Sequence, residues 1–320
     1  MKNVNFKNFL EFRVRRPEEK AMLNQFLKQQ KVSQLNLSQL ISYLELSQYL
    51  NCSDEENCLL EIKKNLLSFN QKQLLKLCLL GFEDAEEHLS EFNREIYIES
   101  SHSLSDSDVF EILNHDFSKE GQVLFCILPK NREKPGYFLL KNSEGLWVKE
   151  GDELWSLPVL AKSSRKLSFF QKNGDTPKGL FRLNSIMPEA NKQKLFGKYH
   201  RVKVDFYLNN ERDILSLDEN LKRKKALWSQ SYIASLFERS LLRIHGTGII
   251  NQEKNSVSWP FIKTSGCLTT RECESYPDDQ KILLSMLSGG NKEYSSISGT
   301  LIVLESELSR SEANQSVLHG

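Results

Sequence analysis

Three segments in the second half of the chain contain residues that could carry nucleophilic chemistry. They are Gly174-Asp175-Thr176-Pro177-Lys178-Gly179-Leu180-Phe181, Ile244-His245-Gly246-Thr247-Gly248 and Thr264-Ser265-Gly266-Cys267-Leu268-Thr269. A cysteine that follows a tight glycine turn can present its sulfur beside converging backbone N–H groups. A histidine at the end of a neighbouring strand can then take the thiol proton. We therefore predict that Cys267 is a nucleophile and that His245 is its general base.

Each segment also has a plainer explanation when it is taken alone. The first could be a Pro/Gly turn between two strands, the histidine could be structural, and the cysteine could be a small buried apolar residue. The chemical interpretation depends on all three occurring together. No acidic residue occupies an obvious triad position, so a backbone carbonyl is expected to orient His245.

The elements that must position these residues change character along the chain. The first third has helical spacing, as in Leu37, Leu40, Ile41 and Leu44, with Asn36 as the expected N-cap. From about Gly121 onward the apolar runs are short, rich in β-branched and aromatic residues and separated by Gly or Pro. The pattern predicts an α+β protein with a helical domain at 1–118, a β-rich catalytic domain at 119–305 and a polar tail at 306–320.

Composition excludes several classes of protein. The chain has 320 residues, which suggests about two domains, and 39% of them are hydrophobic, enough for packed cores. A net charge of +1 argues against a nucleic-acid-binding protein. The six cysteines include no CxxC pair, so zinc-site spacing is absent and a disulfide scaffold is not expected.

The order Thr-Pro-x-Gly-x-Phe, Ile-His-Gly and [Ser/Thr]-x-Gly-Cys-[Ile/Leu/Val] resembles the L,D-transpeptidase catalytic domain, also called the YkuD-like domain. The resemblance covers roughly residues 136–287, and the helical domain matches no module that we can name. One departure concerns the arginine that the family usually has two residues after the cysteine. This chain has Thr269 there, and Arg271 is the candidate substitute; other branches of the family, including ones that release a lipoprotein from peptidoglycan, also lack this arginine.

The resemblance implies a β-rich, sandwich- or barrel-like catalytic fold and an activity on peptidoglycan stem peptides. Cys267 would attack the carbonyl of the L-centre of a diamino acid, next to a terminal D-alanine. His245 would act first as base and then as acid for the departing amine. The turn residues Thr264, Ser265 and Gly266, together with Gly246, would shape the oxyanion site. No metal and no cofactor is expected. Candidate substrate-binding residues are Tyr199, Arg243, Lys263 and Arg271.

Three functions remain open at this point. The first is a transpeptidase, in which a second stem peptide or a lipoprotein lysine accepts the acyl group from the Cys267 thioester. The second is an L,D-carboxypeptidase or a lipoprotein-releasing hydrolase that uses the same Cys/His site. The third is a peptidoglycan-binding protein without turnover.

The substrate, and not a targeting signal, predicts the periplasm or cell envelope. The N-terminus of the given chain has no apolar export segment, so the expectation is that a signal has been removed; the minority interpretation is a cytoplasmic enzyme. No transmembrane segment is expected. The sequence does not predict an oligomeric state.

Overall fold

The computed structural model describes residues 17–52, 55–117, 121–272, 275–276, 278–290 and 297–318. It is mixed α/β and divides into two compact units, Met1–Glu99 and Ser100–Gly320.

The first unit is helical. Its helices are α1 (Pro17–Lys28), α2 (Leu37–Leu50), α3 (Glu55–Lys64), α4 (Gln71–Leu79) and α5 (Glu91–Ser101), the last of which runs two residues past the division. Short 3₁₀ turns lie at Val32–Gln34, Leu66–Ser68 and Glu83–His88. Asn36 caps α2 as predicted: its side chain accepts from the Gln39 N–H and the Gln39 side chain accepts from the Asn36 N–H.

The second unit begins with α6 (Asp106–Asn114) and continues into strands. The strands are β1 (Val123–Leu128), β2 (Gly136–Lys141), β3 (Lys149–Glu150), β4 (Glu153–Leu154), β5 (Ser156–Val159), β6 (Gly179–Met187), β7 (Arg201–Phe206), β8 (Leu242–Thr247), β9 (Leu268–Arg271) and β10 (Gly299–Glu305). The later helices are α7 (Gln193–Phe196), α8 (Glu211–Leu215), α9 (Glu219–Arg223), α10 (Lys225–Leu236), α11 (Asp279–Leu287) and α12 (Arg310–Leu318).

Eight of these strands form one nearly closed sheet in the order β5-β2-β1-β10-β6-β7-β8-β9. Its two edges meet just after β5, where Leu160 and Thr269 exchange N–H···O=C hydrogen bonds of 3.0 and 2.8 Å. Only the β1–β10 and β8–β9 pairs are parallel within this sheet. Its interior is filled by alternate side chains of the strands, including Phe138, Phe181 and Ile244.

The packing at the start of β6 explains why the Pro/Gly motif has a glycine at position 179. Gly179 has φ +143°, and a Cβ there would overlap the Ser231 side chain on α10. The Leu180 N–H donates to Ser231 Oγ over 3.3 Å. The glycine therefore lets α10 pack directly on the strand that follows Pro177.

The predicted domain boundary at residue 118 lies inside the second unit, because α6 belongs there. Its buried residues Val109, Ile112 and Leu113 pack it into this unit, where it contacts α12. The predicted polar tail at 306–320 contains α12, in which Ala313 is fully buried. The helix is mostly polar and Asn314 Oδ1 accepts a hydrogen bond from the Leu154 N–H, so no apolar periodicity indicated it in the sequence.

Candidate active site

The structure brings the first and third motif segments together at the turn before Cys267, and the His245 segment lies alongside the strand that follows this turn. Thr176 Oγ1 donates a 2.9 Å hydrogen bond to the carbonyl oxygen of Gly266. Gly266 has φ +87°, and a Cβ at this position would overlap the carbonyl oxygen of Gly174. Only glycine fits both the backbone conformation and the space. The first segment thus supports the turn that carries the nucleophile candidate.

Strand register places Cys267 near His245. In the parallel β8–β9 pair, Ile244 lies beside Leu268 and His245 beside Thr269, so Cys267, one residue before β9, lies beside Arg243. His245 and Cys267 are therefore diagonal neighbours, and the usual strand spacings put their Cα atoms about 8 Å apart. Ile244 and Leu268 belong to the core, so the alternate side chains on these strands face the opposite side of the sheet.

Strand β7 adds basic residues to that same face. Val202 pairs with Ile244 and Lys203 with Arg243, which places Arg201 beside His245. Neither Arg201 nor Arg243 has a carboxylate partner among the described residues; Arg201 instead donates to the carbonyl oxygen of Pro188, from Nη2 over 3.0 Å and from Nε over 3.3 Å. The face therefore presents two unneutralised guanidinium groups next to the cysteine and the histidine.

His245 is held as a neutral imidazole. Its ring is 1% exposed, and burial lowers its pKa to about 4, aided by the charges of Arg243 and Arg201. Nδ1 lies 2.6 Å from the carbonyl oxygen of Gly246 and so acts as the donor, which leaves Nε2 unprotonated. Within the described residues Nε2 has no hydrogen-bond partner. This is the protonation state that a general base requires, and the orienting group is a backbone carbonyl, as the sequence predicted.

Phe196 covers the imidazole from α7. The two ring centroids are 5.1 Å apart with an interplanar angle of 64°, an edge-on contact. The Arg201 guanidinium lies over the Phe196 ring at 5.5 Å. His245 is therefore shielded from bulk water on the side of α7.

The Cys267 thiol is buried, with 8% of the residue exposed. Sγ lies 3.9 Å from the carbonyl oxygen of Leu241, the residue before β8. Burial raises the pKa of the thiol, whereas Arg243, through its charge and its backbone N–H, and the charges of Arg239 and Arg201 lower it. The neutral thiol is thus the resting form, and three arginines stabilise the thiolate once the proton leaves.

Arg239 also holds the turn in place. Its guanidinium donates to the carbonyl oxygens of Phe169, Asp175 and Gly174, the last over 2.7 Å. Burial lowers its pKa to about 10, so it remains charged at neutral pH. Because Gly174 contacts Gly266, this arginine joins the loop before Thr176 to the cysteine turn.

The turn itself is closed by Thr264. Its Oγ1 accepts from the Cys267 N–H and donates to the Cys267 carbonyl oxygen, both over 3.2 Å. The Cys267 N–H is thus already engaged, while the N–H groups of Ser265 and Gly266 donate to no other group in the described part of the chain. Any oxyanion site at this turn would therefore use those two N–H groups.

Three of the predicted substrate-binding residues are engaged elsewhere. The Tyr199 hydroxyl donates to Asp278 Oδ1 over 2.9 Å, and Lys263 forms an ion pair with Glu133.

Arg271, the third of these residues, binds Asp279 Oδ2 at 2.5 Å and lies 3.7 Å from the centre of the Tyr276 ring. Arg271 lies two residues beyond Thr269 on β9, and in this structure its guanidinium is paired with Asp279 and not with a group near Cys267. Arg243 is the one of the four that lies beside Cys267.

No protein-family model, no curated protein and no solved structure matches this chain. The site therefore has to be interpreted from its own geometry. No group of three or more His, Cys, Asp or Glu residues in the described ranges could hold a metal ion. None of the described helices is both long and apolar enough to cross a membrane.

Sequence reasoning missed Arg201, Arg239 and Glu272. Arg201 begins an alternating strand that was recognised, but only the β7–β8 register brings it beside His245. Arg239 follows α10 in a loop with no motif. Glu272 lies just beyond β9; its position after the strand of the nucleophile motif could be read from the sequence, but its burial could not.

Proposed function

We propose that this chain is a cysteine acyltransferase of the L,D-transpeptidase type that acts on peptidoglycan stem peptides through a Cys267 thioester. The observation that carries the proposal is that Cys267, on its glycine turn, and a neutral, oriented His245 are diagonal neighbours on adjacent parallel strands. The nearly closed, mostly antiparallel sheet is compatible with the catalytic fold that the motifs suggest. The cell envelope is the corresponding proposed location.

The reaction follows from the states of the two groups. Unprotonated Nε2 of His245 takes the proton of the Cys267 thiol as sulfur attacks the donor carbonyl, and the Ser265 and Gly266 N–H groups donate to the oxygen on which charge develops. Collapse of this adduct expels the amine of the terminal residue, which takes the proton from the His245 imidazolium. An amine acceptor then attacks the thioester, with His245 again as base, and the thiol is restored.

Arg201 and Arg243 fit the charge of such a donor. A stem peptide that ends in a free α-carboxylate brings a negative charge next to the scissile amide, and a guanidinium is suited to bind it. Both arginines lie beside the catalytic pair without a carboxylate partner in the described residues. We therefore assign them to the carboxylate of the donor.

Product analysis tests the proposal. The protein is incubated with disaccharide-tetrapeptide, with and without excess amine acceptor, and the products are identified by mass. Cross-linked dimers or acceptor adducts support transpeptidation, whereas tripeptide alone in both incubations shows that water is the acceptor and that the protein is a carboxypeptidase. Unchanged substrate in every incubation contradicts both activities.

A further inference from the structure

Glu272 is a buried acid that the proposed reaction does not use. We infer that it is a positioning residue, whose carboxylate fastens the segment 193–199 against β8 and so fixes the imidazole of His245. The inference rests on the proposed role of His245 as base, and it assigns no contact between Glu272 and substrate.

The carboxylate of Glu272 contacts two backbones at once. It accepts a short hydrogen bond from the Lys198 N–H, and a Cβ at either Gly197 or Gly246 would overlap it. Gly246 is the residue whose carbonyl oxygen holds His245 Nδ1, and Gly197 directly follows Phe196, whose ring packs on the imidazole. One side chain thus sets the spacing between the group that orients His245 and the group that covers it.

The two glycines are required by this contact. Gly197 has φ +72°, a conformation that disfavours side chains, and neither it nor Gly246 has room for one beside the carboxylate. Gly248 similarly lets the carbonyl of Gln193, the first residue of α7, approach β8. α7 is only four residues long, so these close backbone contacts, and not its own stability, hold it in place.

We expect the length of the Glu272 side chain to matter more than its charge for this positioning role. Burial raises its pKa, while the N–H groups of Lys198 and Tyr199 and the Lys198 charge lower it. One oxygen, Oε2, has no hydrogen-bond partner among the described residues. A neutral amide of the same length could keep the Lys198 hydrogen bond, whereas a shorter carboxylate could not contact both backbones.

The experiment compares Glu272→Asp, which keeps the charge and shortens the side chain, with Glu272→Gln, which keeps the length. The imidazole of His245 is followed by NMR on ¹⁵N-histidine-labelled full-length protein, with His245→Asn to assign its signals. In the wild type and in Glu272→Gln we expect one neutral tautomer with the proton on Nδ1 and a pKa well below the ordinary value. In Glu272→Asp we expect exchange between tautomers, a rise of the His245 pKa and a fall in kcat of about 10- to 100-fold with little change in KM.

Glu133→Asp, which shortens a carboxylate paired with Lys263, is the matched control and should leave the His245 signals unchanged. Unaltered His245 signals in Glu272→Asp would overturn the inference, as would Glu272→Gln signals that match those of Glu272→Asp. The NMR readout needs no turnover. Altered signals in a protein that shows no acyl transfer would therefore retain the positioning role and reject the proposed function.

Discussion

Thr176 and Gly266 are joined by a 2.9 Å hydrogen bond from Oγ1 of the threonine to the carbonyl oxygen of the glycine. Thr176 is 1% exposed, and the bond spans 90 positions of sequence. It is the direct link between the Pro/Gly motif and the turn that carries Cys267.

Replacing Thr176 by valine should therefore disturb the cysteine turn. Valine has nearly the same shape but cannot donate, which leaves the Gly266 carbonyl without this bond. We expect a loss of about 1–3 kcal/mol in the free energy of unfolding, measured with urea, and a slower turnover. Thr176→Ser keeps the hydroxyl and should recover most of both losses. Equal stability and activity of Thr176→Val and the wild type would show that the bond is dispensable.

Gly266→Ala should be much more damaging than Gly81→Ala. Both glycines have φ +87°, but a Cβ at Gly81 meets nothing within 4 Å, whereas one at Gly266 overlaps Gly174. Gly81→Ala therefore carries only the cost of the left-handed backbone, about 1–2 kcal/mol. The additional loss in Gly266→Ala, read from urea unfolding of both variants, measures the clash at the turn. Equal losses would mean that the turn can move away from Gly174.

The buried state of His245 should appear in the pH dependence of stability. Its pKa is lowered to about 4 in the folded protein, against about 6.5 for a histidine side chain in water. The unfolded chain therefore takes up a proton that the folded chain does not as the pH falls between these values. Stability should decline over that range by about 3 kcal/mol from this group alone.

His245→Asn supplies the comparison, since it removes the titration without adding a charge. As the pH is lowered from about 6.5 to about 4, the unfolding free energy of the wild type should fall by more than that of this variant. A constant difference over that range would contradict a strongly lowered pKa. Acyl transfer in the wild type should correspondingly persist in mild acid and fall as the pH approaches about 4, where the base becomes protonated.

Arg243→Gln should weaken donor binding and raise the pKa of Cys267. The arginine lies beside the cysteine and lowers its pKa, and we assign it to the donor carboxylate. We expect KM to rise by about tenfold and alkylation of Cys267 by iodoacetamide to require a higher pH. Lys203→Gln is the matched control, because Lys203 pairs with Arg243 in the strand register but is neutralised by Asp205 at 2.8 Å. Indistinguishable behaviour of the two variants would reject the assignment.

The sequence allowed Cys267 and His245 to be singled out, because each lies within a short motif whose turn chemistry is local. The support that the Thr176 segment gives to the cysteine turn is visible only in the structure. A mixed α/β protein was also predictable, from hydrophobic periodicity. The expectation that a backbone carbonyl orients His245 followed from the lack of an acid in an obvious triad position, and it agrees with the contact to Gly246.

The remaining features depend on long-range register, which no local pattern records. Arg201 reaches His245 only because β7 pairs with β8 as it does, and Arg239 reaches the turn from a loop after α10. Arg271 looked suitable by its distance from Cys267 along the chain, yet it is bound to Asp279 on α11. Charged side chains form ion pairs and hydrogen bonds with residues that are distant in the sequence. Their roles therefore could not be predicted from their spacing along the chain.

The central claim is that Cys267 is the nucleophile, and intact-mass analysis after treatment with a carbapenem tests it most directly. Cys52→Ala provides the matched control, since Cys52 is a partly exposed cysteine in the helical unit. We predict one covalent adduct on the wild type and on Cys52→Ala, and none on Cys267→Ala. An adduct that persists on Cys267→Ala would contradict the account.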